Sequence, residues 1–107
     1  MMTATSSALL AQVALYDVLA RVSPSPVVDL NRAVAVAMRD GPEAGLVALD
    51  ALDADALRGY HLFPAARADL FRRLGRASEA TTAYQTALEL TANERERAFL
   101  RRRLADL

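Results

Sequence analysis

Residues capable of reaction chemistry are sparse in this chain. There is no cysteine and a single histidine, His61. The missing thiols exclude disulfides, thiolate nucleophiles and thiolate-bound zinc, and one imidazole excludes a metal site built on several histidines. As a general base, His61 would need a neighbour to orient it. The sequence shows no evident partner beside Tyr60, so a packed or solvated histidine near a helix start is the plainer reading. Asp53 and Asp55 make a close acidic pair, but a hard cation wants about six oxygen ligands, so capping and solvation suit them better. Ser23 and Ser25 alternate with Pro24 and Pro26 and look like helix caps rather than nucleophiles. The four glycines stand alone, so no phosphate-cradling loop is present. With no positioned acid, base, nucleophile or metal set, the chain reads as a non-enzyme without a cofactor.

The remaining polar candidates suit recognition. Asn31 and Arg32 interrupt the most apolar stretch of the chain, and a polar pair there needs partners. They either hydrogen-bond adjacent helices together or meet a bound partner. Tyr60 and Arg67 carry the same two readings further along. Arg101-Arg102-Arg103, with Arg95 and Arg97, form one basic cluster. Five arginines against Glu94, Glu96 and Asp106 leave a net of +2 in that segment. Phe99, its only aromatic residue, fits an apolar stripe, and the segment reads as a solvated helix whose arginines suit the negative end of the helix dipole.

The elements that must position these residues are helical. Alanine and leucine supply 40 of 107 residues, isoleucine is absent, and all 13 basic residues are arginine; Ala, Leu and Arg are strong helix formers. A first helix is expected from about Ser7 to Val22, with Leu9, Val13, Tyr16 and Ala20 near one face and residues 1–8 fraying. Ser23-Pro24-Ser25-Pro26 ends it, and Ser25 can cap a second helix that has Pro26 at its first position and runs to Arg39. Its centre, Ala33 to Met38, is apolar on every side, which predicts burial between neighbours. Asp40-Gly41-Pro42 stops that helix and starts a third, bearing Leu46, Val47, Leu49 and Leu52. A linker follows, with one turn capped by Asp53. A fourth helix begins near Tyr60 or Phe63 and ends at Leu74, with Phe63, Ala66, Leu70 and Leu74 as its apolar face. Gly75 takes the left-handed terminal position. A fifth helix runs from Ser78 to Thr91, with Ala80, Ala83, Tyr84, Ala87 and Leu88 inward. A sixth starts at Asn93, whose spacing to Glu96 resembles a capping box, and carries Phe99, Leu100, Leu104 and Leu107.

The helix pairs repeat. Gly41 and Gly75 lie 34 residues apart, and Glu43-Ala44 with Ala51-Leu52 match Glu79-Ala80 with Ala87-Leu88 at a shift of 36. The interval of 34 is the tetratricopeptide period, and the shift of 36 adds a two-residue insertion in the turn. The expected fold class is all-α: consecutive antiparallel helix hairpins, a TPR-like right-handed α-α superhelix of about six helices, forming one domain over residues 9–107. Thirteen acidic residues balance the 13 basic ones, and a free-standing nucleic-acid binder usually shows a basic excess. No apolar run approaches a membrane span, and the N-terminus lacks the charged start of a secretion signal. A cytoplasmic location is expected.

A longer succession carries a resemblance. Leu15-Tyr16-Asp17-Val18-Leu19, then Ser23-Pro24-Ser25-Pro26-Val27-Val28, then Leu30-Asn31-Arg32-Ala33-Val34-Ala35-Val36-Ala37 come first. Asp40-Gly41-Pro42, Gly59-Tyr60-His61-Leu62, Ala65-Ala66-Arg67-Ala68-Asp69-Leu70 and Arg73-Leu74-Gly75-Arg76 follow. Over about residues 9 to 107 this resembles the C-terminal, tetratricopeptide-like extension of a group of extracytoplasmic-function (ECF) sigma factors of bacterial RNA polymerase. The resemblance implies a regulatory protein-interaction module in transcription initiation. Its partners would be the sigma factor's core domains or RNA polymerase, and a small DGPF/YCII-like protein is a further candidate. The two promoter-reading domains of that family lie outside these residues, so no direct DNA contact and no membrane contact are expected. The family brings no catalytic residues to this region. Asn31, Arg32, Tyr60 and Arg67 are the candidate interaction residues, on a face lined by the second and fourth helices. A generic TPR-like scaffold that self-associates through its open end, as a homodimer, is the alternative.

Overall fold

A computed structural model describes residues 2–22 and 25–107, with side chains from residue 11 onward. Among the described residues it is all-α, with six helices: α1 Met2–Val22, α2 Pro26–Asp40, α3 Pro42–Asp50, α4 Leu62–Arg73, α5 Ala77–Leu90 and α6 Glu94–Ala105. The first helix begins at Met2 rather than near Ser7, and no glycine or proline interrupts it. The Ser23-Pro24 break lies outside the described residues, as do the side chains of Leu9 and Leu10.

The chain divides into two compact units, one ending at Leu57 and one from Arg58 to Leu107. In the first, α1 packs on α2 and α2 on α3. Ser25 caps α2 as its residue type dictates, its Oγ accepting from the Val27 N–H at 3.2 Å, with Pro26 opening the helix where its missing N–H costs nothing. Gly41, at φ 101°, ends α2 by donating its N–H to the Ala37 carbonyl and leads directly into Pro42 of α3. The alanines of α2 let the helices approach closely: Val13, Ala35 and Val36 pack with Tyr16, Ala44 and Ala48. Leu49 has no exposed surface, a burial worth about 2 kcal/mol or more. The expectation that α2 is enclosed all round fails on one side, where Val34 and Met38 are exposed. Of the apolar residues that α3 bears, Leu46 and Leu49 are buried while Val47 is 72% exposed. Asp53 does cap the following turn, accepting from the N–H groups of Asp55 and Ala56.

In the second unit α4 packs on α5 and α5 on α6. Tyr84, 1% exposed, fills the space beside Ala80 and Ala87, which are wholly buried. The inner face of α4 is Ala68, Leu70 and Phe71; Phe63, Ala66 and Leu74 are only half-buried. Phe71 is the residue that sequence periodicity misses. Its carbonyl accepts from the Arg76 N–H at 2.9 Å and the Arg72 carbonyl from the Gly75 N–H at 3.0 Å. This is a Schellman turn, and it requires the left-handed backbone that Gly75 adopts at φ 74°. The apolar contact that usually accompanies the motif is replaced by a guanidinium: Arg76 lies 4.9 Å from the centre of the Phe71 ring. On α6 only Leu100 is buried. Phe99 and Leu107, read as part of the inner stripe, are 49% and 39% exposed.

Candidate functional site

The four expected interaction residues fall two in each unit. Asn31 is exposed on α2. Beside it, the Arg32 Nε donates to an Asp17 carboxylate oxygen on α1, so Arg32 ties two helices together, the first of the two roles open to it. Both side chains remain about two-fifths exposed, at 41% and 43%, and screening keeps such a pair weak. Tyr60 precedes α4 instead of lying on it: its carbonyl receives the Phe63 N–H, and its ring stands 6.1 Å from that of His61. Arg67 is on α4, its guanidinium 5.3 Å from the Phe71 ring centre.

Arg67 and Phe71 line an open cavity of about 480 Å³ between α4 and α5. Two arginines stack on Phe71, and one of them, Arg76, forms a bidentate pair with Glu79 at 2.7 Å through both oxygens. The Thr82 and Thr86 hydroxyls on the far wall donate to the carbonyls of Ser78 and Thr82 one turn back. With these donors committed to the helix, the cavity offers an aromatic floor and a charged rim, a surface for packing.

The other polar cluster joins the start of α4 to the α5–α6 turn. His61, expected to lack a partner, has its Nε2 2.6 Å from Glu96 Oε2. Thr91 Oγ1 donates to the same Glu96 oxygen at 2.8 Å and accepts from the Asn93 N–H at 3.2 Å. Asn93 Oδ1 accepts from the Glu96 N–H at 3.1 Å, so the forward half of the expected capping box is present. The return bond is not made to Asn93; the Thr91 hydroxyl stands between, accepting from the Asn93 N–H and donating its O–H to Glu96. His61 and Glu96 are 35 positions apart, and no local spacing signals their pairing. Arg97 completes the junction, its guanidinium donating to the carbonyls of Leu88 and Thr91.

Perturbed ionisation accompanies pairing on the surface. The Arg39 guanidinium hydrogen-bonds the Asp40 carboxylate at 2.7 Å, which holds that carboxyl below the usual carboxylate range and raises Arg39 in turn. Arg72 is raised by Asp69, 2.6 Å away, and by the neighbouring Tyr84. Among the described residues no three His, Cys, Asp or Glu side chains converge to hold a metal ion. No described helix is long and apolar enough to cross a membrane. In the arginine cluster, Arg95, Arg101 and Arg102 are exposed and Arg103 lies 5.1 Å over the Phe99 ring.

No family model matches the chain, and no solved structure matches it. An uncharacterized protein of Rhizobium meliloti (strain 1021) is 47% identical over 93 residues, covering 87% of this chain. The chain spans 22% of the length of that relative.

Proposed function

We propose that this chain is a helical-repeat protein-interaction module, the C-terminal extension of an ECF sigma factor, acting in transcription initiation through protein contacts rather than DNA. The observation that carries the interaction reading is α1. One side of it, Val13 with Tyr16, packs into the first core. On the opposite side Leu15, Val18, Leu19 and Val22 are 58%, 46%, 37% and 78% exposed. A helix apolar on two opposite faces is normally covered on both, and this one offers its second face to a partner. The motif succession of ECF extensions supports the specific assignment. In this reading the partner is the sigma factor's own core domains or RNA polymerase, with a small DGPF/YCII-like protein as the further candidate, and the setting is cytoplasmic.

Calorimetric titration of the purified chain against the two sigma core domains, and separately against core polymerase, tests this. Binding to one of them that is lost on combining Leu15→Glu with Leu19→Glu, at unchanged helix content, is expected. Absence of binding to both removes the transcriptional assignment. One observation favours a second reading, self-association: Ala11, Leu15, Val18 and Val22 follow the alternating four-three spacing of a helix–helix seam. Sedimentation velocity showing one monomeric species at every concentration would remove it.

A further inference from the structure

The least expected surface lies on α6. Arg95, Ala98, Phe99 and Arg102 recur at i, i+3, i+4 and i+7, which sets them on one face of the helix. Phe99 stands 49% exposed at the centre of that face, with the Arg103 guanidinium 5.1 Å over its ring. Arg95 and Arg102 are exposed and held by no ion pair among the described residues. The nearby carboxylate of Glu96 is engaged by Thr91 and His61. These three guanidiniums, one of them over the exposed ring, outnumber the one carboxylate of the adjoining cavity, that of Glu96.

Next to Phe99 is a cavity of about 230 Å³, lined by Leu62 and Ala65 of α4, by Arg95, Glu96, Phe99 and Leu100 of α6, and by His61. Leu62 is itself 43% exposed. The cavity's exposed surface is largely apolar and has room for a large side chain, and Arg95 and Glu96 are its charged lining residues. Aromatic and arginine side chains around a desolvated pocket are the usual makings of an interface hot spot, and rim charges select partners of opposite sign. A nucleic acid would be served by a broad basic surface with several stacking rings; here there is one ring, and the chain's net charge is zero.

We propose that the α4–α6 face centred on Phe99 docks an acidic, amphipathic peptide segment of another protein. An apolar side chain of that segment enters the Leu62–Ala65–Phe99–Leu100 cavity, and its flanking carboxylates meet Arg95, Arg102 and Arg103. The site uses none of the residues of the apolar α1 face and holds whether or not the chain belongs to a sigma factor.

Selection of a random 12-residue peptide display library on the immobilised intact chain tests this. The enriched peptides are expected to carry two or more Asp or Glu residues around a Leu, Ile, Phe or Met. A synthetic copy should bind at least about tenfold more weakly to Phe99→Ala and to the double variant Arg95→Gln with Arg102→Gln, and more weakly as salt is raised. Both changes are at exposed positions, so circular dichroism and melting should stay near those of the parent. Enriched peptides without acidic residues would overturn the proposal, as would binding indifferent to both variants. So would displacement of the peptide by a 12-nucleotide single strand that binds more tightly, which would make the face a nucleic-acid site.

Discussion

Adjacent residues of α6 allow a sharp comparison, because Leu100 is 2% exposed and Phe99 is 49% exposed. Leu100→Ala removes a side chain enclosed within the second unit, and burial of that kind costs about 3–5 kcal/mol when truncated, the transfer and cavity contributions adding. Phe99→Ala removes more atoms, yet about half of that ring already faces water. What remains is partial burial and the Arg103 contact, which is worth about 0.5–1 kcal/mol at an exposed site. The smaller deletion should therefore be the more damaging. A unit of about 50 residues holds roughly 3–7 kcal/mol in all, so Leu100→Ala should unfold it or lower its melting temperature by more than about 10 °C. Phe99→Ala should lower it by only a few degrees. Urea titration followed by circular dichroism reads both variants. Equal losses, or a greater loss for Phe99→Ala, would refute the inward and outward assignment of α6 and the docking face built on it.

Other outcomes follow from single contacts. Gly75→Ala should cost about 1–2 kcal/mol in melting experiments although a methyl group there meets open space, since the penalty is the positive φ itself. Arg32→Gln should change stability by about 0.5 kcal/mol or less and leave partner binding intact; a large loss of binding at unchanged stability would restore Arg32 to the interface. Asp40 should hold its charge to lower pH than an ordinary aspartate because Arg39 stabilises the carboxylate. Its contribution to stability is then present above the unfolded-state pKa and lost as pH falls through the folded one; carbon-13 titration of the Asp40 carboxyl should show this, and Arg39→Gln should move it back toward the normal range.

The helical elements are legible in the sequence because punctuation and composition agree. Ser25-Pro26, Gly41-Pro42 and Gly75 each sit where the chain turns, and the inward spacing of Ala80, Tyr84 and Ala87 survives intact. Faces are less legible where a helix is apolar all round or packs on one neighbour only. Val34, Val47 and Phe99 are apolar residues whose periodicity gives no sign of being left outside. Phe71 is hidden for the opposite reason: the stripe starting at Phe63 draws attention away from it, and its partners Arg67 and Arg76 come from two sides of a turn. Polar pairs distant in sequence, such as His61 with Glu96 and Arg32 with Asp17, depend on tertiary approach and leave no local signature. Of the four candidate interaction residues, Asn31 remains a plain exposed side chain, Arg32 has a structural partner, Tyr60 belongs to a turn, and Arg67 lines a cavity.

The junction between α5 and α6 has a mechanical consequence. The Arg97 side chain of α6 occupies the carbonyls of Leu88 and Thr91 that the end of α5 leaves open, while Thr91 and Asn93 secure the first turn of α6. Each helix therefore closes the other's end. Force applied along α6 is delivered first to the last turn of α5, and the two should loosen as one cooperative segment in amide hydrogen exchange. A partner seated on the Phe99 face would in that way tighten residues it never touches.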